Sequence, residues 1–281
     1  MPKDLIAVVM PIFSTVDKYV REAVKSILSQ DHANLELIII EDPSDCVAER
    51  TVREFSDVRT LYIMNSQRTS FVQQINKGIE LASGDLIARM DADDISEPSR
   101  LRIQRAFLQE RPDISAVGSN LKIIDEQGIC VGYREYPEFP EDIANKMRIR
   151  NVVAHPAVMF RKKDCLEMGG YSEEFDTISD YDLWIKMLLG GKNFYNIQLP
   201  LLNYRMHTAA TKGYLLKKQL ADTLRIKKKY FRSKKGWDLL CEMRFMSEFM
   251  LMALPSRWIY ALFITFFIGK SGTAYSVGRN Q

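Results

Sequence analysis

The sequence predicts an α/β protein whose sheet is mostly parallel and is flanked by helices. Through the first 125 residues, apolar runs of strand length alternate with amphipathic stretches of helical period. This alternation is typical of β-α-β units, in which helices connect successive parallel strands. Acidic residues also stand at the carboxyl ends of two predicted strands, which is where sheets of this kind bind their ligands.

The regular part of the chain is predicted to contain strands over residues 6–10, 35–40, 60–64, 86–90 and 114–124. The predicted helices between them cover residues 19–28, 47–55, 71–82 and 99–109. Ser14 followed by Asp17 is a capping-box pattern that predicts the start of the first helix. Gly84 and Pro112 predict where the third and fourth helices end.

Beyond residue 125 the alternation becomes irregular. A turn is predicted at residues 126–128, where a glycine follows two polar residues. The predicted helices cover 140–151, 164–168 and 180–189, and the predicted strands cover 157–161 and 194–204. From residue 215 to residue 267 the chain is predicted to be helical, first basic and then increasingly apolar.

Three carboxylates directly follow the fourth predicted strand, in the segment GDLIARMDADDISEP. Asp91, Asp93 and Asp94 repel one another unless a positive charge lies among them. Mg²⁺ and Mn²⁺ prefer oxygen ligands and are commonly held by one or two carboxylates together with substrate phosphates. The alternative is a solvated loop in which Asp94 or Ser96 caps the next helix. Asp42, at the end of the second strand, is predicted to face the same crevice.

The composition is that of an ordinary soluble globular protein. The 281 residues are 46% hydrophobic and 27% charged, which allows one large α/β domain or one domain with an appendage. The net charge is only +3, but residues 217–235 are strongly basic. Four widely separated cysteines show no disulfide or zinc-site spacing, which favours a reducing cytosol. The N-terminal residues show no signal-peptide pattern.

The strand-end acids, HPAVMFRK at 155–162 and SDYDLW at 179–184 occur in an order that resembles the family 2 glycosyltransferases of the GT-A fold. The resemblance extends over residues 5–210. It implies a GT-A type, Rossmann-like and mostly parallel sheet flanked by helices, with a C-terminal helical extension. It also implies transfer of a sugar from a nucleotide-sugar to an acceptor hydroxyl, with inversion and with Mn²⁺ or Mg²⁺ as cofactor.

The resemblance assigns four residues to the nucleotide-sugar. Pro11 and Phe13 in VVMPIF would form the loop that contacts the nucleoside base. Asp42 in IIIEDPS would accept a hydrogen bond from the ring N–H of a uracil-like base, so a UDP-linked donor is expected. Asp91 would lie near the ribose. For Asp42, a plain role in a strand-end turn is the alternative.

The same resemblance assigns the metal and the chemistry. Asp93 would bind the metal, and His207 in NYRMH would reach the metal or the diphosphate. Asp180 would be the catalytic base, because inversion by a single displacement needs a base within hydrogen-bond reach of the attacking hydroxyl. His155 would line the acceptor pocket. A bound cation would stabilise the charge that develops on the leaving diphosphate.

Asp180, His207 and His155 each have a structural alternative to the role that the resemblance assigns. Asp180 can simply cap the helix that follows it, and Asp182 is then the reserve candidate for the base. His207 can be a surface histidine near a turn. His155, which precedes Pro156, can simply begin the strand.

Several positions depart from the family pattern. Phe13 and Ser14 stand where Tyr-Asn is commoner, and Ser179 stands where Glu commonly precedes the catalytic Asp. The processive polymerases of the family carry Gln-x-x-Arg-Trp, whereas Leu254 occupies the Gln position before Arg257 here. Transfer of a single sugar is therefore predicted, and not polymerisation.

The predicted organisation is a catalytic domain over 1–210 and a helical tail over 211–281. Within the catalytic domain, residues 1–125 would bind the nucleotide-sugar and residues 126–210 the acceptor. The expected acceptor is a saccharide or a lipid-linked saccharide in cell-surface polysaccharide or glycolipid assembly. Two alternatives are a catalytically inactive GT-A scaffold or binding subunit, and a sugar-phosphate nucleotidylyltransferase. The second would need a Gly-rich loop after the first strand, and VVMPIFSTV has no glycine.

The tail is predicted to contact a surface without spanning a membrane. A span needs ~20 mostly apolar residues, whereas the stretch 246–268 is interrupted by Glu248 and by residues 255–257. Together with the basic stretch 227–235, it favours a helical hairpin on an anionic membrane. The protein would then be cytoplasmic and peripheral on the inner face of the cell membrane. Packing on the catalytic domain, or on another copy in a homo-oligomer, is the alternative. The sequence contains no motif for nucleic-acid binding.

Overall fold

A computed structural model describes residues 4–207, 212–232, 237–255 and 258–259. Within these residues a single sheet organises the chain. Its strands are β1 (Ile6–Ile12), β2 (Leu35–Glu41), β3 (Thr60–Met64), β4 (Leu86–Arg89), β5 (Ile95–Ser96), β6 (Ile114–Ile124), β7 (Cys130–Arg134), β8 (Met159–Arg161) and β9 (Asn193–Arg205). The helices are α1 (Asp17–Leu28), α2 (Glu49–Arg53), α3 (Phe71–Leu81), α4 (Arg100–Glu110), α5 (Pro140–Met147), α6 (Lys162–Glu167), α7 (Ser179–Leu189), α8 (Lys212–Tyr230) and α9 (Leu239–Leu251).

The strand order is β3-β2-β1-β4-β8-β6-β9-β5, with β7 paired to β6. The first four strands in this order are parallel to one another, as the β-α-β alternation predicts. Beyond β4 the sheet is mixed, because β8 runs antiparallel to both β4 and β6, whereas β6 and β9 are parallel. The predicted α/β class with a helix-flanked sheet is confirmed. The irregular pattern after residue 125 corresponds to the mixed half of the sheet.

Burial of the central strands explains why they read as continuous apolar runs. All seven residues of β1 are buried, and β1 lies between β2 and β4. The helix α3 packs closely on β1 at Gly78, where an added Cβ atom would lie 2.5 Å from Cγ1 of Val9. The glycine therefore sets the distance between this helix and the sheet.

Most predicted boundaries lie within a few residues of the observed ones, but the predicted capping box at Ser14 is wrong. α1 begins at Asp17 after Val16, and no side chain caps it. Ser14 adopts a left-handed conformation with φ of 51°, three residues before the helix begins, so it is not the N-cap residue. A capping box is present at α3 instead, where Ser70 and Gln73 each bond to the other's backbone N–H.

The two C-terminal helices pack on the rest of the chain. α8 packs against the 3-10 segment Glu173–Ile178, and its Ile226 belongs to the main hydrophobic core. Lys227 of α8 and Glu248 of α9 form a buried ion pair of 2.6 Å that joins the two helices. Within the described residues, none of the helices combines the length and the apolar character that crossing a membrane requires. The apolar sequence from 260 to 268 lies outside the described residues.

Candidate active site

The carboxyl ends of β1, β2 and β4 meet at one edge of the sheet because these strands are parallel neighbours. Phe13 follows β1, Asp42 follows β2, and Asp91 follows β4 after a single intervening residue. Phe13, Asp42 and Asp91 are three of the four residues predicted to bind the nucleotide-sugar. They lie along one edge because of the order and direction of the strands.

Pro11 differs from its prediction. Because β1 continues to Ile12, Pro11 lies inside the strand, buried and opposite Ile40 of β2, and it is not part of a loop. Phe13 is the member of this pair that reaches the surface, with 42% of its area exposed. The guanidinium carbon of Arg68 lies 4.2 Å from the centre of the Phe13 ring. Arg68 is thus a neighbour of the candidate base-binding loop that sequence reasoning missed.

Asp42 is a buried carboxylate that bonds to the loop between β3 and α3. Its Oδ1 accepts a hydrogen bond of 2.7 Å from Nδ2 of Asn65, and its Oδ2 accepts one of 2.6 Å from the backbone N–H of Thr69. Burial alone would raise the pKa of Asp42, but the hydrogen bonds from Asn65 and Thr69 outweigh it and hold the pKa below its usual range. These hydrogen bonds give Asp42 a structural role at the strand end, and its contact with a nucleoside base stays a prediction.

The acidic residues after β4 form a cluster. Asp91, Asp93 and Asp94 each offer a ligand atom, and these atoms all lie within 4.8 Å of one another. Asp94 is completely buried, and burial followed by the charges of Asp91 and Asp93 raises its pKa well above the usual range. The Oδ2 atom of Asp94 has no hydrogen-bond partner among the described residues. α4 begins after Ser99, so neither Asp94 nor Ser96 is its N-cap residue, and the capping alternative is wrong.

This oxygen-only cluster, with its mutual repulsion and an unpaired buried oxygen, fits a hard divalent cation. His207, which lies 114 residues after Asp93 in the sequence, contacts this cluster. Its Nε2 atom lies 2.7 Å from Oδ2 of Asp93, as the resemblance implied when it placed both residues at one site.

Arg205 holds His207 and the acidic loop in place. Its backbone N–H donates to Oδ1 of Asp94 at 2.9 Å, and its Nε donates to the backbone oxygen of Asp93 at 2.8 Å. The ring of Tyr19 lies 4.4 Å from the Arg205 guanidinium carbon and 5.6 Å from the His207 ring. Neither Arg205 nor Tyr19 was identified from the sequence, because their partners are more than 60 residues away in the chain.

A cavity of about 690 Å³ adjoins this cluster. Charged and polar side chains from six parts of the sequence line it, among them Arg89, Asp91, Tyr136, Asn151, His155 and Asp180. Thr177 and Gln219 line the same cavity, so α8 contributes to its wall. The predicted division at residue 210 would therefore separate a helix from the cavity that it helps to form.

Asp180 lies in the first turn of α7, one residue after the helix begins. The N-cap residue of α7 is Ile178, so Asp180 does not occupy the N-cap position, although its carboxylate accepts a hydrogen bond from the backbone N–H of Tyr181 in the first turn. Nδ2 of Asn151 donates a hydrogen bond of 2.7 Å to Oδ2 of Asp180. Burial raises the pKa of Asp180, and the N–H of Tyr181, the charge of Arg89 and the Asn151 amide act in the opposite direction.

Asp182, the reserve candidate for the base, is not among the residues that line the cavity. It is buried, accepts a hydrogen bond of 2.8 Å from the Tyr230 hydroxyl and lies 3.2 Å from Nζ of Lys186. These contacts give Asp182 a structural role in holding α8 against α7.

His155 lines the cavity, and it begins a short 3-10 turn rather than a strand, since β8 begins at Met159. Its place in an acceptor pocket stays a prediction. Its Nε2 atom lies 2.9 Å from the Tyr171 hydroxyl. Burial, followed by the nearby positive charge of Arg89, lowers the pKa of His155 well below its usual range. The imidazole is consequently neutral at pH 7 and acts through hydrogen bonding rather than charge.

Arg89 is a functional candidate that sequence reasoning missed. It is 2% exposed, its Nη2 bonds to Oδ1 of Asp91, and its Nε and Nη1 atoms have no partner among the described residues. A charged residue inside an otherwise apolar strand is a signal that could have identified it, since isolated charges are rarely buried without a function.

The parallel strand ends, the acidic cluster and the adjoining polar cavity together form the arrangement that the resemblance to the GT-A glycosyltransferases implies. The family model for glycosyl transferase family 2 matches residues 7–168, and the chain belongs to that family.

The chain is 33% identical over 214 residues to the O-antigen biosynthesis glycosyltransferase WbnJ of Escherichia coli, covering 74% of this chain and 82% of that protein. It is 27% identical over 201 residues to the E. coli UDP-Gal:alpha-D-GlcNAc-diphosphoundecaprenol beta-1,3-galactosyltransferase, covering 69% and 72%.

Among solved structures, Staphylococcus aureus TarS 1–349 in complex with UDP has a TM-score of 0.60 at 14% identity, covering 88% of this chain and 80% of that one. The mannosyltransferase PcManGT from Pyrobaculum calidifontis, in complex with GDP-Man and Mn²⁺, has a TM-score of 0.60 at 15% identity, covering 95% and 81%. At these identities the structural likeness establishes the fold.

Proposed function

We propose that this glycosyltransferase moves a single sugar from a nucleotide-sugar, UDP-linked in our proposal, to an acceptor hydroxyl with inversion at the anomeric carbon. One observation carries the proposal. Asp180 and Asp91, the first member of the acidic cluster, line the same cavity of about 690 Å³ although they lie far apart in the sequence. A carboxylate for the acceptor and an acidic cluster for the diphosphate are the two parts that an inverting transfer requires.

In this proposal Asp180 is the general base. Its carboxylate takes the proton of the acceptor hydroxyl while the acceptor oxygen forms a bond to the anomeric carbon. The bond from that carbon to the diphosphate oxygen breaks at the same time, and the nucleoside diphosphate leaves with the electron pair. Since Asn151 occupies one lone pair of Oδ2, its amide would orient the carboxylate with Oδ1 toward the acceptor.

The amide of Asn151 is itself held in one orientation. Its Oδ1 accepts a hydrogen bond of 3.1 Å from the backbone N–H of Val153, so the Nδ2 end must face Asp180. We therefore assign Asn151 as a positioning residue for the base.

Asp93, with Asp91 and Asp94 beside it and His207 against it, would hold Mn²⁺ or Mg²⁺. When bound, such a cation stabilises the negative charge that develops on the leaving diphosphate. The complex of PcManGT with GDP-Man and Mn²⁺ supports this cofactor by analogy. Arg89, beside Asp91, would add a fixed positive charge at the same end of the cavity.

The acceptor in our proposal is a saccharide, free or lipid-linked, in cell-surface polysaccharide or glycolipid assembly. The names of WbnJ and of the diphosphoundecaprenol galactosyltransferase support this class of acceptor. We further propose that the protein works in the cytoplasm, peripherally on the inner face of the cell membrane, where a lipid-linked acceptor is accessible. Two alternatives are tested. Assembly into a homo-oligomer is the alternative to membrane attachment, and an inactive scaffold subunit is the alternative to an active transferase.

The test has two stages. A thermal-shift panel of UDP, GDP, dTDP and CDP, with and without Mn²⁺, identifies the nucleotide, since a ligand that binds the folded state raises its stability. Hydrolysis and transfer assays with the matching nucleotide-sugars follow, and the anomeric configuration of the product is read by NMR. We expect a metal-dependent shift with UDP and an inverted product. Nucleotide binding without any turnover of the donor would favour the scaffold, and a retained configuration would reject the inverting mechanism.

A further inference from the structure

The solvent-facing side of α9 is apolar. Leu239, Met243, Met246 and Met250 lie on one helical face and are 76%, 62%, 39% and 66% exposed, and we call them the α9 stripe. A surface helix normally turns polar residues toward water, so this arrangement is inverted. Leu240 and Phe249 extend the stripe on its two sides, and both are more than half exposed.

The packing of α9 fixes the stripe outward. Cys241, Phe245 and Glu248, on the opposite face, are buried. The Glu248 carboxylate pairs with Lys227 at 2.6 Å, and both side chains are nearly inaccessible to water. Rotating α9 to bury the stripe would break this buried ion pair, which is costly. The exposed apolar surface is therefore a stable feature of the described fold.

Arginines lie beside the stripe and lead toward the cavity. Arg244 is the next residue after Met243, and Arg150 follows α5. Burial lowers the pKa of Arg150, and the like charges of Arg134 and Arg244 lower it further. Arg134 also lines the cavity that contains Asp180. Arg134 thus lies at the wall of the cavity, and Arg244 lies on α9, where its Nε donates a hydrogen bond of 2.9 Å to Oε1 of Glu248.

We propose that the α9 stripe inserts into the interfacial region of an anionic lipid bilayer, with Arg150 and Arg244 at the level of the lipid headgroups. An apolar helix face flanked by cations is the chemistry that an anionic bilayer surface binds. The arginine side of the cavity then faces the lipid phosphates. The link to a lipid-linked acceptor rests on the proposed function, whereas the docking itself does not.

A second copy of the chain explains these observations less well. In a two-fold dimer each stripe would meet its own copy, because such an interface uses the same patch on both chains. The arginines that flank the two stripes would then be brought toward each other, and like charges at an interface disfavour association. An anionic bilayer satisfies both the apolar face and the cations.

The experiment is co-sedimentation of the full chain with vesicles of phosphatidylcholine alone or mixed with phosphatidylglycerol, without any sugar donor. The test variant is M243E/M250E. Its control is V58E/I129E, which adds the same two charges at positions that are 100% and 63% exposed and lie outside α9. R150Q tests the cationic flank. Circular dichroism and thermal unfolding verify that each variant is folded.

We expect the wild type and V58E/I129E to bind vesicles that contain phosphatidylglycerol, and added salt to weaken this binding. M243E/M250E should bind at least ~10-fold more weakly, since two apolar contacts become charged. R150Q should weaken binding to the anionic vesicles about fivefold and leave binding to neutral vesicles unchanged.

Three results would overturn the proposal. The wild type could ignore anionic vesicles. M243E/M250E could bind as well as the control, which would assign the contact to another surface. Size-exclusion chromatography could instead show an oligomer that M243E/M250E dissociates without any vesicle binding, which would make the stripe an interface between copies. Because no donor is present, none of these results depends on whether the proposed transfer reaction is correct.

Discussion

Nδ2 of Asn151 donates a hydrogen bond of 2.7 Å to Oδ2 of Asp180, across 29 residues of sequence. This contact joins the segment before β8 to the first turn of α7 at the wall of the cavity. It stabilises the ionised form of a carboxylate whose burial favours the neutral form. The predictions that follow begin with this pair.

Asn151→Ala is expected to shift the acid limb of the kcat/KM profile to higher pH. The base must be ionised to act, and the amide hydrogen bond lowers the pKa of Asp180, so its loss raises that pKa. Below the new pKa the base is protonated and the rate falls. Asn145→Ala is the matched control, because Asn145 is exposed on α5 and contacts Arg148 instead. A profile that is identical in the wild type and Asn151→Ala would contradict the positioning role.

Asp180→Asn is expected to lower the rate of transfer by ~10²–10⁴-fold, the usual effect of losing a general base. Nucleotide affinity should hardly change, because the residue is proposed to meet the acceptor and not the diphosphate. Asp182→Asn is the control. It should mainly lower the free energy of unfolding and affect the rate of transfer less, since Asp182 is buried against Tyr230 and Lys186. Steady-state kinetics with equilibrium nucleotide binding separate the two variants, and loss of donor affinity in Asp180→Asn would exclude it as the base.

Asp93→Asn is expected to reduce turnover by at least ~10²-fold, because it removes a charged ligand of the proposed cation site. The side chains are nearly isosteric, so the fold should persist. The stabilisation of the wild type by Mn²⁺ in a thermal-shift assay should be much smaller in this variant. Near-normal turnover of the wild type in excess EDTA would reject the metal-dependent mechanism.

Glu248→Met is expected to destabilise the protein by about 3–5 kcal/mol, since it leaves the ammonium of Lys227 buried without a counter-charge. Lys227→Met should cost less, because Glu248 keeps a hydrogen bond of 2.9 Å from Nε of Arg244. The double variant should be close to the wild type, as apolar replacement of a whole buried pair often is. Urea unfolding measures all three, and equal losses in the two single variants would contradict the asymmetry.

The stability of Glu248→Met is expected to depend on pH through the pKa of Lys227. Burial lowers the pKa of Lys227, and the charge of Glu248 opposes this effect. Without Glu248 the folded-state pKa falls further below its unfolded value. The destabilisation of Glu248→Met should then shrink as the pH rises through the folded-state pKa toward the unfolded pKa of lysine, because the amine becomes neutral in the folded state and is no longer a buried charge.

Much of the nucleotide half could be predicted from the sequence. The strands at 60–64 and 114–124 were predicted with their observed bounds, because β-branched and other apolar residues cluster there between turn-forming residues. The acidic triplet was also visible locally, since its three residues lie within four positions of the chain. The order of the motifs led to the family, which the family model confirms.

The tertiary structure decided most of the meetings between distant residues. No periodicity connects Asn151 with Asp180, and the contact of His207 with Asp93 was expected only from the resemblance to the family. The same holds for α8, whose basic sequence favoured a membrane surface although Lys227 is buried against Glu248. Sequence patterns report how each residue is solvated and how the local backbone is shaped. The partner of a polar side chain depends on strand order and packing, and the fold sets these through interactions spread over the whole chain.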